Sequence, residues 1–308
     1  MGISCRLARL IVVSAFPFVL ALVGCTSHPV ETKGQAFRIV QDDLGRSVKL
    51  PGKVERVVSL APSLTESIYA VGAGDKLVGV TTYCNYPEAA KAVEKVGDTQ
   101  TPNIERIVAL KPDVVFVSTA SQLEAFMQTL DQQGIAVYVT NPKTLDDAFQ
   151  SLLRLGDIFG TTDQAKDLVT KLSGRVELIR HLHSFEPEGP RAQRTTFPKV
   201  FVQISNEPLF TIGKDSYLTE VVASASGVSV TQDVPGGYPK LSKEAASAMN
   251  PDVIILSDSE DNREPNAVFK NSPAVKNGRV YRINADIISR PGPRLVDALE
   301  QIAGFLHK

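Results

Sequence analysis

From residue 54 onward the apolar positions follow two alternating periods. Short unbroken runs at 57–60 (VVSL), 77–80 (LVGV) and 114–118 (VVFVS) have the length of buried strands, and the segments between them carry helical spacing. Strands that are apolar on both sides and separated by helices argue for a parallel sheet covered on both faces. The spacing predicts a strand over 57–60 and then a helix opened by a capping box of Ser63 and Glu66, ending near Gly72. A strand over 77–82, a helix over 123–132 and a strand over 135–140 follow. Ahead of them, 37–50 alternates on either side of Asp43-Leu44-Gly45-Arg46, the pattern of a small hairpin at the lobe edge.

The alternation stops at 141–144. Thr144 and Asp147 form another capping-box pattern, and 145–159 reads as helix. A fresh start at Thr161 and Thr162 leads into Ala165, Leu168, Val169, Leu172, Val176 and Ile179, a single apolar stripe on a long helix. No strand pattern occurs between 142 and 184, so a stiff helical joint is predicted between two α/β lobes. An exposed loop over 185–198 comes next. The second lobe then repeats the alternation, with a strand over 200–204, a helix over 217–225, a strand over 280–283 and a closing helix over 294–306.

One stretch occurs twice. Residues 103–118, NIERIVALKPDVVFVS, return as 242–257, SKEAASAMNPDVIILS. Each copy opens on a helix-capping residue (Asn103, Ser242), places a glutamate two positions on (Glu105, Glu244), and reaches Pro-Asp before a strand. An acid in a first helical turn gains a few tenths to about 1 kcal/mol from the helix dipole, which is reason enough for one such glutamate. Two in equivalent places fit either simple duplication or a shared docking task.

Composition narrows the function classes. The chain has 308 residues, 43% hydrophobic and 22% charged, with a formal net charge of -1. Those values describe a globular protein and give no electrostatic case for nucleic acid. Arg6 and Arg9 precede an apolar run over 10–23 that ends in Leu22-Val23-Gly24-Cys25, which resembles a bacterial lipobox. Residues 1–24 are therefore expected to be a lipoprotein signal peptide, with Cys25 acylated and holding the exported protein on a membrane, in the periplasm or at the cell surface. Cys5 leaves with the signal and Cys25 carries lipid, so Cys84 is the lone free cysteine of the exported protein and no internal disulfide forms.

Enzyme signatures are scarce. The four histidines (His28, His181, His183, His307) offer no pair on one helix face, and there is no serine elbow, Walker loop or dinucleotide fingerprint. No cofactor or metal is expected. Residues 258–262 (DSEDN) lack the glycine and closing glutamate of a calcium loop and read as a solvated turn.

In this order and spacing, RVVSLAPSLTE, TTYCNYP, NIERIVALKPDVV, PLFTIGKDS, YPKLSKE and ADIISRPGPR resemble the substrate-binding lipoproteins of ABC importers in the cobalamin and ferric-siderophore class, most closely its cobalamin-binding branch. The resemblance implies a class III periplasmic-binding-protein fold: two Rossmann-like lobes joined by a long helix, with the ligand cleft between them. On that basis 25–53 is the lipidated tether and edge hairpin, 54–141 the first lobe, 142–198 the helical connector and loop, and 199–308 the second lobe. It implies that Tyr83, Phe210, Tyr238, Asp286 and Arg290 meet the ligand, and that Glu105 and Glu244 dock on arginines of a permease whose partner subunits hydrolyse ATP. The protein is expected to act as a monomer that makes and breaks no bond. The tryptophans of the cobalamin-binding branch are replaced here by Thr99, Ser118 and Tyr238. A ferric siderophore or haem therefore stays open as the ligand, with Arg290 and Arg294 as the attraction for an anionic chelate. An exported metal-dependent oxidoreductase on the same scaffold is the reading from another class.

Overall fold

The computed structural model describes residues 36–119, 124–184 and 197–308. The predicted signal peptide, Cys25, the tether up to residue 35 and most of the 185–198 loop lie outside the described residues. Among the described residues, no helix is long and apolar enough to cross a membrane.

The chain enters through the hairpin β1 (Phe37–Gln41) and β2 (Ser47–Pro51). Its turn is held by Asp42, whose carboxylate accepts the Leu44 and Arg46 amides at 3.0 and 2.9 Å. The first lobe is β3 (Val57–Ser59), α1 (Pro62–Ala70), β4 (Leu77–Val80), α2 (Ile104–Ala109), β5 (Val114–Ser118), α3 (Glu124–Gln132) and β6 (Ala136–Thr140). Its four strands are parallel in the order β4-β3-β5-β6.

Two helices make the connector, α4 (Leu145–Phe159) and α5 (Thr162–Ser184). The second lobe is β7 (Lys199–Ser205), β8 (Phe210–Thr211), α6 (Tyr217–Ser224), β9 (Val228–Ser229), α7 (Lys243–Met249), β10 (Val253–Asp258), α8 (Pro273–Lys276), β11 (Val280–Asn284), α9 (Ala285–Ile288) and α10 (Leu295–Leu306). Its sheet runs β11-β10-β7-β8, with β9 also on β7; only β8 is antiparallel.

Strand alternation divides the core. In the first sheet Val57, Val114 and Phe116 face one way, while Val58, Val115 and Val117 face the other. In the second, Val200, Val253 and Ile255 oppose Phe201, Ile254 and Leu256. The first member of each set belongs to one continuous apolar cluster, which passes through Leu152, Leu155 and Leu172 of the connector. The connector is thus part of the core and not a tether between two cores. The opposite faces carry separate clusters, capped by Ile107 of α2 and Ala246 of α7.

One predicted cap is corrected. Helix α1 starts at Pro62, with Ala61 as an extended N-cap that makes no side-chain bond. Proline fits a first turn because it has no amide hydrogen to satisfy, so the helix begins before Ser63 can cap it. Ser63 and Glu66 are both buried inside the helix. The predicted box at the connector is closer: the Thr144 hydroxyl accepts the Asp147 amide, while the Asp147 carboxylate accepts from Lys143.

The two copies of the repeat match in detail. Asn103 accepts the Arg106 amide and Ser242 the Ala245 amide. Both helices end in a left-handed residue just before the proline, Lys111 at φ 48° and Asn250 at φ 45°. Asp113 then accepts the Glu55 and Arg56 amides, and Asp252 accepts that of Lys199. Each Pro-Asp pair pins the start of its strand to the start of the neighbouring strand, so that part of the repeat is structural.

The joint has a tight crossing where Gly156 of α4 meets α5, and a Cβ at that position would lie 2.4 Å from the Ala165 Cβ. Gly156→Leu is therefore expected to destabilise the protein by about 1–3 kcal/mol through overpacking, read as a lowered urea midpoint.

Candidate functional site

Both sheets present the carboxyl ends of their parallel strands on the side where α2 and α7 begin. The Asn103 amide donates to Val96, which itself pairs with Val80 at the end of β4. The Leu241 amide donates to Leu209, just beyond the end of β7. At their other ends the two helices return to Arg56 and Lys199, where β3 and β7 begin. Glu105 and Glu244 therefore stand on the strand-carboxyl side of their respective lobes, and both are exposed. Glu244's own amide, then the Ser242 hydroxyl, hold its carboxyl below the usual glutamate range, so it stays ionised into mild acid.

On the same side the lobes are tied by a buried ionic cluster. Glu66 of α1 is 3% exposed. Its carboxylate accepts from Arg290 Nη1 at 2.7 Å and from Arg294 Nε and Nη2 at 2.8 and 2.6 Å. Both arginines belong to the second lobe. Arg290 also donates to the Asn85 side-chain oxygen at 2.8 Å and pairs with Asp286. The Asn85 amide in turn donates to Asp286 at 2.8 Å. The Arg294 guanidinium lies 4.2 Å from the Tyr86 ring centroid, a cation–π contact. Hydrogen bonding to Glu66 pushes the Arg294 pKa further up. Two carboxylates face two guanidiniums, and their formal charges cancel.

The aromatic candidates border this cluster. Tyr83 follows β4 and is 58% exposed, while its carbonyl accepts from Arg290 at 3.4 Å. Tyr238 is 43% exposed, yet its hydroxyl is turned inward to Tyr217 and Ser216. Burial pushes both tyrosine hydroxyls up, so both remain protonated. The Tyr217 hydroxyl donates to the Ile288 carbonyl at 3.1 Å, which links Tyr238 to the helix that carries Asp286. Phe210 bridges Lys240 beside the Tyr238 turn and is half-buried.

The structure therefore brings Tyr83, Asp286 and Arg290 together and joins Tyr238 to them through α9. Asp286 and Arg290 pair with each other, but Glu66 and Asn85 complete the set, and sequence reasoning missed both. Glu66 stands two places from both Leu64 and Ile68, off the face those two share, where an acid ordinarily meets water, so the sequence carried no signal of its burial. Of the positions that lack tryptophan, Thr99 sits in a turn held by Asp98 and Ser118 is buried at the end of β5.

One other expectation changes. In the turn over 258–262, residues 259–261 are exposed, but Asn262 is buried and bonds Gln203 and Ser257. It is an anchor, not a solvated position. The Cys84 thiol is buried against the Thr65 and Thr81 hydroxyls. Among the described residues, no group of three or more His, Cys, Asp or Glu side chains could hold a metal ion.

Arg290→Ala is expected to cost about 3–5 kcal/mol, because it strips a buried carboxylate of one of its two partners. Asp286→Ala should cost clearly less, since that carboxylate is 40% exposed. Urea unfolding of the two variants measures the difference.

Comparisons with known proteins agree with this architecture. The periplasmic binding protein family matches residues 57–287. An uncharacterized ABC transporter substrate-binding lipoprotein of Bacillus subtilis is 30% identical over 300 residues, covering 93% of each chain. A vitamin B12-binding protein of Vibrio cholerae is 32% identical over 259 residues, covering 83% of this chain and 90% of that one. The crystal structure of the periplasmic vitamin B12-binding protein of Vibrio cholerae superposes with a TM-score of 0.70 at 31% identity, over 82% of this chain and 97% of that one. A periplasmic heme-binding protein from Pseudomonas aeruginosa reaches a TM-score of 0.72 at 23% identity, over 83% and 94% of the two chains, a likeness of fold.

Proposed function

The chain belongs to the periplasmic binding protein family, and from that premise we propose that it is the extracytoplasmic receptor of an ABC importer, capturing cobalamin or a related corrinoid and delivering it to a membrane permease. The observation that carries the reading is the convergence of Tyr83, Asp286 and Arg290 from two lobes at the carboxyl ends of parallel strands, where α/β folds hold their ligands. The likeness to vitamin B12-binding relatives, over more than four fifths of the chain, supports a corrinoid. Tyr83 and Tyr238 offer open rings to a flat macrocycle in place of the missing tryptophans.

Lipid attachment at Cys25 belongs to the same proposal, supported by the lipobox-like sequence and by the lipoprotein relative of Bacillus subtilis. So does docking through Glu105 and Glu244. Carboxylate–arginine pairs are directional and charge-assisted, so one from each lobe would set the register on a two-subunit permease. A connector built into a shared core favours a small closure over a wide hinge motion, so the permease would read a modest change in the spacing of the two glutamates. The ionic cluster bears on the alternative ligands: an anionic siderophore or haem would meet Arg290 and Arg294 already neutralised.

Absorbance titration of the exported protein against cyanocobalamin, cobinamide, haem and ferric hydroxamates tests the ligand class, and preference for haem or a hydroxamate would overturn the corrinoid reading. Tyr83→Ala or Tyr238→Ala should weaken the preferred ligand by about 1 kcal/mol or more if the rings stack on it. Replacing both Glu105 and Glu244 by Ala should abolish uptake by cells while leaving the affinity of the purified receptor intact. A loss of affinity would place these residues in the cleft and not on a docking face.

A further inference from the structure

The buried carboxylate of Glu66 has no place among the sequence-based site residues, yet it organises the charged floor between the lobes. Its two oxygens take three hydrogen bonds from Arg290 and Arg294 at 2.6–2.8 Å, and its side chain is 2% exposed. Asp286, at the solvent edge of the cluster, holds the remaining arm of Arg290. Left alone, the two arginines would form an anion site of two forked donors beside the open Tyr83 ring.

We propose that Glu66 is a charge-specificity determinant: by occupying Arg290 and Arg294 from the opposite lobe, it makes the cleft floor neutral and excludes anionic ligands in favour of uncharged, amide-bearing ones. This rests on the ligand-cleft assignment above and adds to it the residue that sets the charge class. A ligand carboxylate or an anionic iron chelate would have to displace a preorganised carboxylate already within hydrogen-bond distance of both guanidiniums. A neutral amide keeps the cluster whole and can still approach its outer groups, Asp286 and Asn85, both of which are solvent-accessible. Removing the Glu66 charge leaves a net single positive charge on the floor.

The test compares affinities for haemin with both axial positions blocked by cyanide, a probe that carries propionates but cannot ligate through its iron. Wild type, Glu66→Gln, Asp286→Asn and the exposed-loop control Glu260→Gln are titrated by absorbance, and thermal melts report which variants are folded. Glu66→Gln is expected to bind dicyano-haemin about tenfold tighter than wild type, the scale of one nearby charge partly screened by solvent. Glu260→Gln, with the same change in total charge, should match wild type. A folded Glu66→Gln with unchanged haemin affinity, or an equal gain in the control, overturns the proposal. If Glu66→Gln does not fold, Asp286→Asn decides by the same criterion. Titration of wild type with cyanocobalamin runs alongside; failure there removes the corrinoid reading and leaves the haemin comparison to decide the role of Glu66.

Discussion

A glutamate buried in the first helix of one lobe is met by two arginines of the other. The desolvation cost of such a carboxylate is several kcal/mol, and it is offset only when the geometry is good and the remaining lone pairs are filled. Here Arg290 and Arg294 supply three hydrogen bonds to Glu66, and each guanidinium then has needs of its own. Arg290 draws in Asn85, the Tyr83 carbonyl and Asp286, while Arg294 takes the face of Tyr86. The loop after β4 and the helix after β11 are thereby held against each other. Separating the lobes on this side would expose or orphan every member of the set.

On the side of the connector the constraint is apolar. A single cluster joins both sheets through Leu152, Leu155 and Leu172, so the lobes share a core in place of a hinge strand. An ionic tie at the strand-carboxyl side and a hydrophobic one along the helices join the lobes at two places. The distance between Glu105 and Glu244 is then a property of the whole fold and not of two loose halves.

The duplicated stretch has a division of labour. Its Pro-Asp end is spent on the scaffold, where Asp113 and Asp252 bind the backbone amides that start the adjacent strand. Its opening end is turned to solvent, with capping residues satisfied by the helix itself and the glutamates left free of the core. The Pro-Asp half thus serves the scaffold, while the opening half presents its glutamate to solvent in both lobes.

The strand and helix periods, the helical joint between two α/β lobes, the capping residues Asn103, Thr144 and Ser242, and the paired glutamates were all legible in the amino-acid order. Each depends on neighbours within a few residues, which is the range over which hydrophobic period and capping operate. The start of α1 was misread because Pro62 outcompetes Ser63 for the first turn, a local matter decided by one backbone amide. The partners of Glu66 were beyond reach for a different reason: they lie 224 and 228 residues away, and an acid in an amphipathic stretch looks the same whether it faces water or an arginine. Only the docking of one lobe on the other decides that Glu66 is buried and met by two guanidiniums.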